Sequence, residues 1–212
     1  MIRDRWALGV MGIAYRSFTT DPDVVARAAR DDGFEFVDLP LGSRQGILPV
    51  GCPMSAPDPS AGWCVTPAFR PGEGQWEKTV AAFRAAPGCL MEAWAGGLVQ
   101  TREEMLAMQA EVPGLRFLID TGHTTAAGVD VLEVLDLADH VQLRQAARDR
   151  NQVAPDDPTG EVDFAAVFDR LEAVGYRGGL CIEYFDLPRY GWPLDNPRAW
   201  SVELATRLRS GH

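Results

Sequence analysis

Four polar side chains interrupt four successive apolar runs in the second half of the chain. They are Glu92 in Leu-Met-Glu-Ala-Trp, Asp120 in Leu-Ile-Asp, Gln142 in Val-Gln-Leu and Glu183 in Cys-Ile-Glu-Tyr. Any one of them could be a strand-end residue that faces water or caps the segment that follows. A carboxylate inside an apolar run is costly, however, unless it is paired, protonated or bound to a cation. Three converging carboxylates would also repel one another, so the four runs together favour a cation site.

The donor types indicate which cation this would be. Carboxylate and amide oxygens are hard ligands, which suit Mn²⁺ or Mg²⁺ better than zinc. A divalent ion with four protein ligands keeps positions for a substrate carbonyl and the hydroxyl beside it. Such an ion acidifies the carbon-bound proton and stabilises the enediolate that forms when a glutamate removes it. Return of the proton gives isomerisation or epimerisation, whereas loss of hydroxide gives dehydration.

The sequence pattern around these residues predicts a parallel α/β fold that would position them. Short apolar runs alternate with segments of helical period, which is typical of βα units. The extended segments are 6–12, 34–40, 47–51, 63–69, 89–95, 116–120, 140–146 and 179–185. Eight parallel strands predict a (β/α)8 TIM barrel, whose active site lies at the C-terminal strand ends. The alternative is an open doubly wound sheet, but no Gly-x-Gly-x-x-Gly stands at a first strand-to-helix turn.

The helices are expected to be fewer than in a full barrel. Their predicted ranges are 21–33, 74–88, 101–114, 129–139, 162–176 and 196–211. No helical pattern occurs between Leu41 and Pro71, so the barrel should be compact, with the helices after strands two and three lost or reduced. At 212 residues, the chain is expected to form a single domain, 1–212.

Composition excludes several classes of function. The net charge is −10 and no basic cluster occurs, so nucleic acid is not an expected partner. No run of eighteen apolar residues and no signal peptide is visible, which predicts a cytoplasmic protein without a membrane partner. The four cysteines are scattered, and we expect all of them to be reduced. Lys78 is the only lysine and falls in a helical pattern, which argues against Schiff-base chemistry.

Longer motifs resemble a known family. "LIDTGH", then "HVQL", then "DPTGEVDFAAVFDRLEAVGYRGGLCIEYF" are similar to the xylose isomerase-like TIM-barrel superfamily of sugar isomerases, epimerases and dehydratases. The resemblance covers about residues 89–185, whereas the first 88 residues depart from the family pattern.

The resemblance implies a metal centre with a proton-transfer pair. Its ligands would be Glu92, Asp120, Gln142 and Glu183. In this family the two glutamates at the equivalent strand ends also act as acid and base on a hydroxy-carbonyl substrate. Gln142 stands where many members have histidine, and this glutamine looks like hydroxypyruvate isomerase. The closing strand of that enzyme also reads Glu-Tyr, as Glu183-Tyr184 does here.

The resemblance also implies substrate-binding residues. His123 matches the histidine that hydrogen-bonds a substrate oxygen. Arg148 falls near the substrate-binding arginine of the ketose epimerases, although Arg144 and Arg150 compete for that role. Trp94 alternates with a proposed ligand along its strand and is therefore expected to point into the barrel mouth.

The resulting hypothesis is a divalent-metal-dependent isomerase or epimerase acting on a small sugar or hydroxy-carbonyl compound. A dehydratase of a related keto-sugar or keto-inositol is one alternative, and a non-catalytic barrel subunit or binding module is another. The apurinic endonucleases of the same superfamily need a histidine-rich zinc cluster, but this chain has only three histidines. Missing outer helices would expose apolar surface, which favours a homodimer.

Overall fold

Parallel strands and the helices between them make up most of the described chain. The computed structural model describes residues 5–38, 64–67, 69–186, 188 and 193–211. The strands are β1 (Leu8–Met11), β2 (Phe36–Asp38), β3 (Cys64–Pro67), β4 (Cys89–Ala93), β5 (Phe117–Asp120), β6 (Ala138–Leu143) and β7 (Leu180–Ile182). The α-helices are α1 (Pro22–Asp31), α2 (Gln75–Ala85), α3 (Arg102–Glu111), α4 (Thr121–Ala126), α5 (Phe164–Ala173) and α6 (Pro197–Ser210).

The seven strands form one parallel sheet with the order β2-β1-β7-β6-β5-β4-β3. Every strand in this order is parallel to its neighbours, which confirms the predicted parallel α/β architecture and is consistent with a reduced TIM barrel. The segment after β2, where the sequence predicts lost or reduced helices, falls in the part of the chain that the structure does not describe. The strand predicted at 47–51 lies outside the described residues. That residues 1–212 form one domain stays a prediction.

Both faces of the sheet are buried, and the side chains alternate between them. The register places Asp120 beside Gln142 and Gln142 beside Cys181, so these three side chains share the inner face. Ile119 and Val141, the intervening residues, are fully buried in the hydrophobic core. Helices therefore cover the outer face with an apolar layer, while the inner face carries the polar groups.

Glycines leave room for an aromatic ring on the inner face of the sheet. Phe36 of β2 projects so that its ring lies against Gly9 of β1 and Gly179 before β7, and a Cβ atom at Gly9 would collide with it. The ring also packs edge-on against His140, with the ring centroids 6.4 Å apart. The N-terminal half of the barrel interior is thus filled by side chains rather than open.

The predicted helix starts of α1 and α3 are confirmed by their caps. Asp21 accepts hydrogen bonds from the backbone of Asp23 and Val24, and a proline follows it at the first helical position. Thr101 and Glu104 form a reciprocal capping box at the start of α3. No described helix is long and apolar enough to cross a membrane.

The helix predicted over 129–139 is wrong. The chain instead forms the short α4 directly after β5 and then two 3₁₀ turns, Val131–Glu133 and Leu135–Leu137. Asp130 caps the first of these turns through Leu132, and β6 already begins at Ala138. The apolar residues that suggested a helix are buried, but there is no room for three full helical turns before the next strand begins.

The expectation of four reduced cysteines is also wrong, because Cys89 at the start of β4 is disulfide-bonded. The β3–β4 register aligns the backbones of Cys64 and Cys89. Among the described cysteines Cys181 is free and buried. A cytoplasmic location stays a prediction, and a disulfide does not favour it.

An ion pair fixes the last helix against the first. Arg198 of α6 donates two hydrogen bonds of 2.7 Å to Asp32 at the end of α1. The buried Tyr15 hydroxyl donates a third, of 2.8 Å, to the same carboxylate. Burial disfavours ionisation of Asp32, but the hydrogen bonds from Arg198 and Tyr15 outweigh it and lower the pKa of Asp32.

This lowered pKa predicts how stability depends on pH. Because the folded pKa of Asp32 lies below its unfolded value, the stabilisation is present above about pH 4 and is lost as the pH falls through the folded value. We expect Asp32→Asn to lower the free energy of unfolding by about 1 kcal/mol at pH 7, since Arg198 is partly exposed. The difference from the unmodified protein should shrink below about pH 4. Urea denaturation at several pH values would measure it, with Asp149→Asn, a substitution at an exposed aspartate, as control. A difference that is the same at all pH values would contradict the prediction.

Candidate metal centre

The three predicted carboxylates meet at the C-terminal edge of the sheet. Glu92 is the fourth residue of β4, Asp120 ends β5, and Glu183 directly follows β7. One ligand oxygen from each of them lies within 4.8 Å of the others. All three side chains are buried. Gln142, near the end of β6, joins them because its Nε2 donates a 3.4 Å hydrogen bond to Glu183 Oε1.

Two oxygen acceptors in this cluster have no hydrogen-bond partner among the described residues. Asp120 Oδ1 accepts the backbone N–H of His123 at 2.8 Å. Asp120 Oδ2 and Gln142 Oε1 are buried and accept no hydrogen bond from the described part of the chain. Buried acceptors are normally satisfied by protein, water or an ion. Unpartnered oxygens beside two further carboxylates are therefore a donor set that fits a hard divalent cation.

Burial controls the charge of the two glutamates. Burial, together with the negative charge of Asp120, raises the pKa of Glu92 to about 8, although Arg144 opposes this shift. Burial also raises the pKa of Glu183 well above its usual range; Arg144 counteracts it, and Asp120 and Glu92 add to it. Near neutral pH these groups need either protons or positive charge close by.

Arg144 supplies part of that positive charge. Its side chain is fully buried, with Nη2 3.0 Å from Asp120 Oδ1 and Nη1 3.3 Å from Glu183 Oε2. Its guanidinium also lies over the ring of Phe185, 4.7 Å from the centroid. Arg144 directly follows β6 and stands two residues after Gln142, so the alternation of side chains along an extended segment was the signal that could have identified it.

The structure does not bring Arg148, the predicted substrate-binding arginine, to this cluster. Arg148 is exposed, and its backbone N–H donates to Glu161. Its guanidinium approaches Gly128, beyond the end of α4. The chain turns outward after Ala147, so spacing from Gln142 was a poor guide, and Arg144 is the arginine that contacts the carboxylates.

His123 and Trp94 both lie beside the cluster, as expected. His123 Nε2 is 3.6 Å from Glu92 Oε1, and the Trp94 ring packs edge-on against His123 with a centroid distance of 6.3 Å. Burial, reinforced by the charge of Arg144, lowers the pKa of His123 to about 4. The imidazole is therefore neutral near pH 7 and can exchange hydrogen bonds with a substrate oxygen without adding charge.

A second buried group lies one layer deeper in the barrel. One ligand atom from each of Asp38, His140 and Cys181 lies within 4.8 Å of the others, and His140 Nε2 is 2.6 Å from Asp38 Oδ2. Burial and the neighbouring Asp38 raise the pKa of the Cys181 thiol well above its usual range. His140 and Cys181 precede Gln142 and Glu183 by two residues on the same strands, so this group forms a hydrogen-bonded floor under the carboxylates.

The loop after β6 is held by reciprocal hydrogen bonds. Thr121 Oγ1 donates to the backbone oxygen of Arg144 at 2.8 Å and accepts its N–H at 2.9 Å. Gln145 Oε1 accepts the N–H groups of Ala146 and Val162. These contacts fix the position of Arg144 relative to Asp120 and return the chain to α5.

A family model described as xylose isomerase-like TIM barrel matches residues 73–210. The chain belongs to this family. Several solved structures of other proteins have the same fold as this xylose isomerase-like chain. The structure of an L-ribulose 3-epimerase has a TM-score of 0.73 and 16% identity, covering 97% of this chain and 94% of the other.

Two further structures similar to this xylose isomerase-like chain differ in the reaction that they are named for. The probable 3-DHS dehydratase AsbF from Bacillus anthracis has a TM-score of 0.70 and 13% identity, covering 96% and 98% of the two chains. The 3-keto-D-glucoside 4-epimerase YcjR from E. coli has a TM-score of 0.66 and 14% identity, covering 97% and 99%. At these identities the likeness establishes the fold alone. No curated protein matches the chain significantly.

The path of Arg144 predicts a sensitive glycine. A Cβ atom at Gly122 would collide with Arg144 Nε and with the backbone oxygen of Asn151. We expect Gly122→Ala to lower the free energy of unfolding by about 1–3 kcal/mol, because the buried guanidinium must move. Urea denaturation would measure the loss. Gly72→Ala is the control, since Gly72 is exposed and its Cβ would meet only the flexible side chain of Gln75; equal effects in the two variants would contradict this account.

Proposed function

We propose that this chain is a divalent-metal-dependent isomerase or epimerase of a small sugar or hydroxy-carbonyl compound. The observation that carries the proposal is the convergence of Glu92, Asp120 and Glu183, whose oxygens lie within 4.8 Å of one another at one end of the sheet. Family membership supports it, as do the epimerase names of two of the similar structures. Mn²⁺ or Mg²⁺ suits the oxygen donors best.

Four side chains would hold the ion: Glu92, Asp120, Gln142 and Glu183. Asp120 Oδ2 and Gln142 Oε1 are available for this role, because neither accepts a hydrogen bond from the described residues. When bound, a divalent ion would act as a Lewis acid at a substrate carbonyl and make the neighbouring carbon-bound proton more acidic.

The two glutamates are placed to move that proton. In the strand order, β5 and β6 separate β4, which carries Glu92, from β7, which precedes Glu183. A substrate above Asp120 and Gln142 would therefore be flanked by one glutamate on each side. One glutamate removes the proton from the carbon beside the carbonyl. If a glutamate returns the proton to the former carbonyl carbon, and the hydroxyl proton moves to the former carbonyl oxygen, the product is the isomer. If the opposite glutamate returns a proton to the original carbon from the other side, that carbon is inverted and the product is the epimer.

Neighbouring side chains would bind and orient the substrate. His123 Nε2 lies 3.6 Å from Glu92 Oε1, so the neutral imidazole could donate to or accept from a substrate oxygen beside the proposed base. Trp94 forms an apolar wall next to His123, and Arg70 lies over its indole ring, 5.0 Å from the centroid. Small-molecule sites are commonly lined by apolar and aromatic side chains, with a few polar groups that fix the orientation of the ligand.

Metal content is the first test. Purified protein dialysed against Mn²⁺ and then against metal-free buffer should retain about one ion per chain. Glu183→Gln should lose most of it, because one charged ligand is removed. Glu103→Gln, an exposed glutamate of α3, is the matched control and should keep its metal. Negligible metal in the unmodified protein would contradict the proposed centre.

Proton exchange in D₂O is the second test. With a panel of ketoses and hydroxy-ketoacids, the metal-loaded protein should exchange the proton beside the carbonyl, as followed by NMR. Glu92→Gln and Glu183→Gln should each slow the exchange by about 100-fold or more, because each removes a proton carrier.

Other outcomes of the same assay identify the alternatives. Loss of water from the substrate would indicate a dehydratase, the reaction named for AsbF. If the protein binds members of the panel without exchanging their protons, the non-catalytic binding module is favoured.

A further inference from the structure

We propose that Arg144 is a resident cation of the carboxylate cluster: it neutralises Asp120 and Glu183 when no metal is bound, and it weakens the binding of a divalent ion there. The inference rests on the proposed function in one respect, because it takes the metal site to include Asp120 and Glu183. It concerns the arginine rather than the reaction.

The first support is where the guanidinium lies. Arg144 is fully buried, and its two terminal nitrogens contact Asp120 Oδ1 at 3.0 Å and Glu183 Oε2 at 3.3 Å. None of its three guanidinium nitrogens makes a hydrogen bond of regular geometry within the described chain. Its interaction with the carboxylates is therefore mainly one of charge, as for an ion.

The second support is the balance of charge. Three buried carboxylates, Glu92, Asp120 and Glu183, face one buried guanidinium. When all three are ionised, as metal ligands must be, two negative charges remain, and one divalent cation neutralises them. The arginine and the proposed ion can coexist, because the guanidinium contacts Asp120 Oδ1 whereas Asp120 Oδ2 has no partner among the described groups. They would nevertheless repel each other across a short, poorly solvated distance.

The third support is that the local fold is built around this side chain. Gly122 leaves space that Arg144 Nε and Cδ occupy, so that any larger residue would collide with them. Thr121 holds the Arg144 backbone through two hydrogen bonds, and the Phe185 ring packs against its guanidinium. Arg144 is therefore fixed in the cluster and does not extend from the surface.

A Mn²⁺ titration of the metal-stripped protein tests the effect on metal binding. Arg144→Met keeps a long apolar side chain but removes the charge, and it should bind Mn²⁺ at least about tenfold more tightly. Arg144→Lys should stay within about threefold of the unmodified protein, because it keeps the charge. Arg198→Met is the control, since Arg198 pairs with Asp32 away from the cluster. Unchanged or weaker binding by Arg144→Met would overturn the proposal.

Urea denaturation with EDTA tests the metal-free state. Arg144→Met should lower the urea midpoint by about 1 M, because it leaves two buried carboxylates without their cation. Adding Glu183→Gln to that variant should recover at least half of the loss, since the second charge is then also removed. No loss, or a loss that the second substitution does not relieve, would make Arg144 a packing residue.

The two measurements also separate this inference from the proposed function. The urea experiment could show the coupling between Arg144 and Glu183 while neither the unmodified protein nor any variant binds Mn²⁺. In that case the proposed metal centre is wrong, and so is the proposed weakening of metal binding. Arg144 would then neutralise the carboxylates without any role in metal binding. If Mn²⁺ binds and Glu183→Gln abolishes it, but Arg144→Met binds no more tightly, the metal centre stands and this inference fails. An insoluble Arg144→Met with a soluble Arg144→Met/Glu183→Gln supports the coupling, whereas insolubility of both overturns it.

Discussion

The burial of three carboxylates at one end of an apolar sheet is the constraint on which this site depends. Glu92, Asp120 and Glu183 are all buried, and their oxygens lie within 4.8 Å of one another. Three negative charges cannot be held so close together in a poorly solvated place without protons or cations. Arg144 supplies one positive charge. Asp120 Oδ2 and Gln142 Oε1, which accept no hydrogen bond within the described part of the chain, are where a further positive charge fits.

The same constraint explains the packing around the cluster. The buried Arg144 side chain needs space between the surrounding groups, and Gly122 leaves that space because it has no Cβ atom. It also needs a fixed backbone, which the two hydrogen bonds of Thr121 supply. The motif Asp-Thr-Gly-His begins at the last residue of β5, and each of its residues has a separate role. Asp120 is a proposed ligand, Thr121 holds the Arg144 backbone, Gly122 leaves space for the Arg144 side chain, and His123 is a proposed substrate contact.

Much of this site could be predicted from the sequence, because strand ends converge in a parallel barrel. Four apolar runs, each interrupted by one polar residue, were enough to identify the cluster. The structure brings these four residues together: Glu92, Asp120, Gln142 and Glu183. The helix expected at 129–139 was wrong because apolar spacing reports burial, which 3₁₀ turns also satisfy. The disulfide of Cys89 could not be foreseen, since it depends on which segments the sheet places side by side.

The arginine beside the carboxylates is not the one that the spacing of the family motif predicted. Arg148 was favoured by its distance along the chain from Gln142, but that distance crosses a turn and ends at the surface. Alternation along β6 and the residue after it instead selects His140, Gln142 and Arg144 for the inner face, and all three are buried. One extended segment thus carries a residue of the floor, a proposed ligand and the proposed cation.

This arrangement depends on a one-residue shift in the pairing of β5 with β6. Phe117 pairs with Ala138, but Leu118 pairs with His140, so Asp139 is left over, exposed and bonded to Arg116. Without the shift, Asp120 would lie beside Val141, and Gln142, together with Arg144 directly after β6, would face the helices. A single extra residue at the start of β6 therefore decides whether that strand contributes an amide and a guanidinium to the cluster or buries them in the apolar layer, where neither could be satisfied.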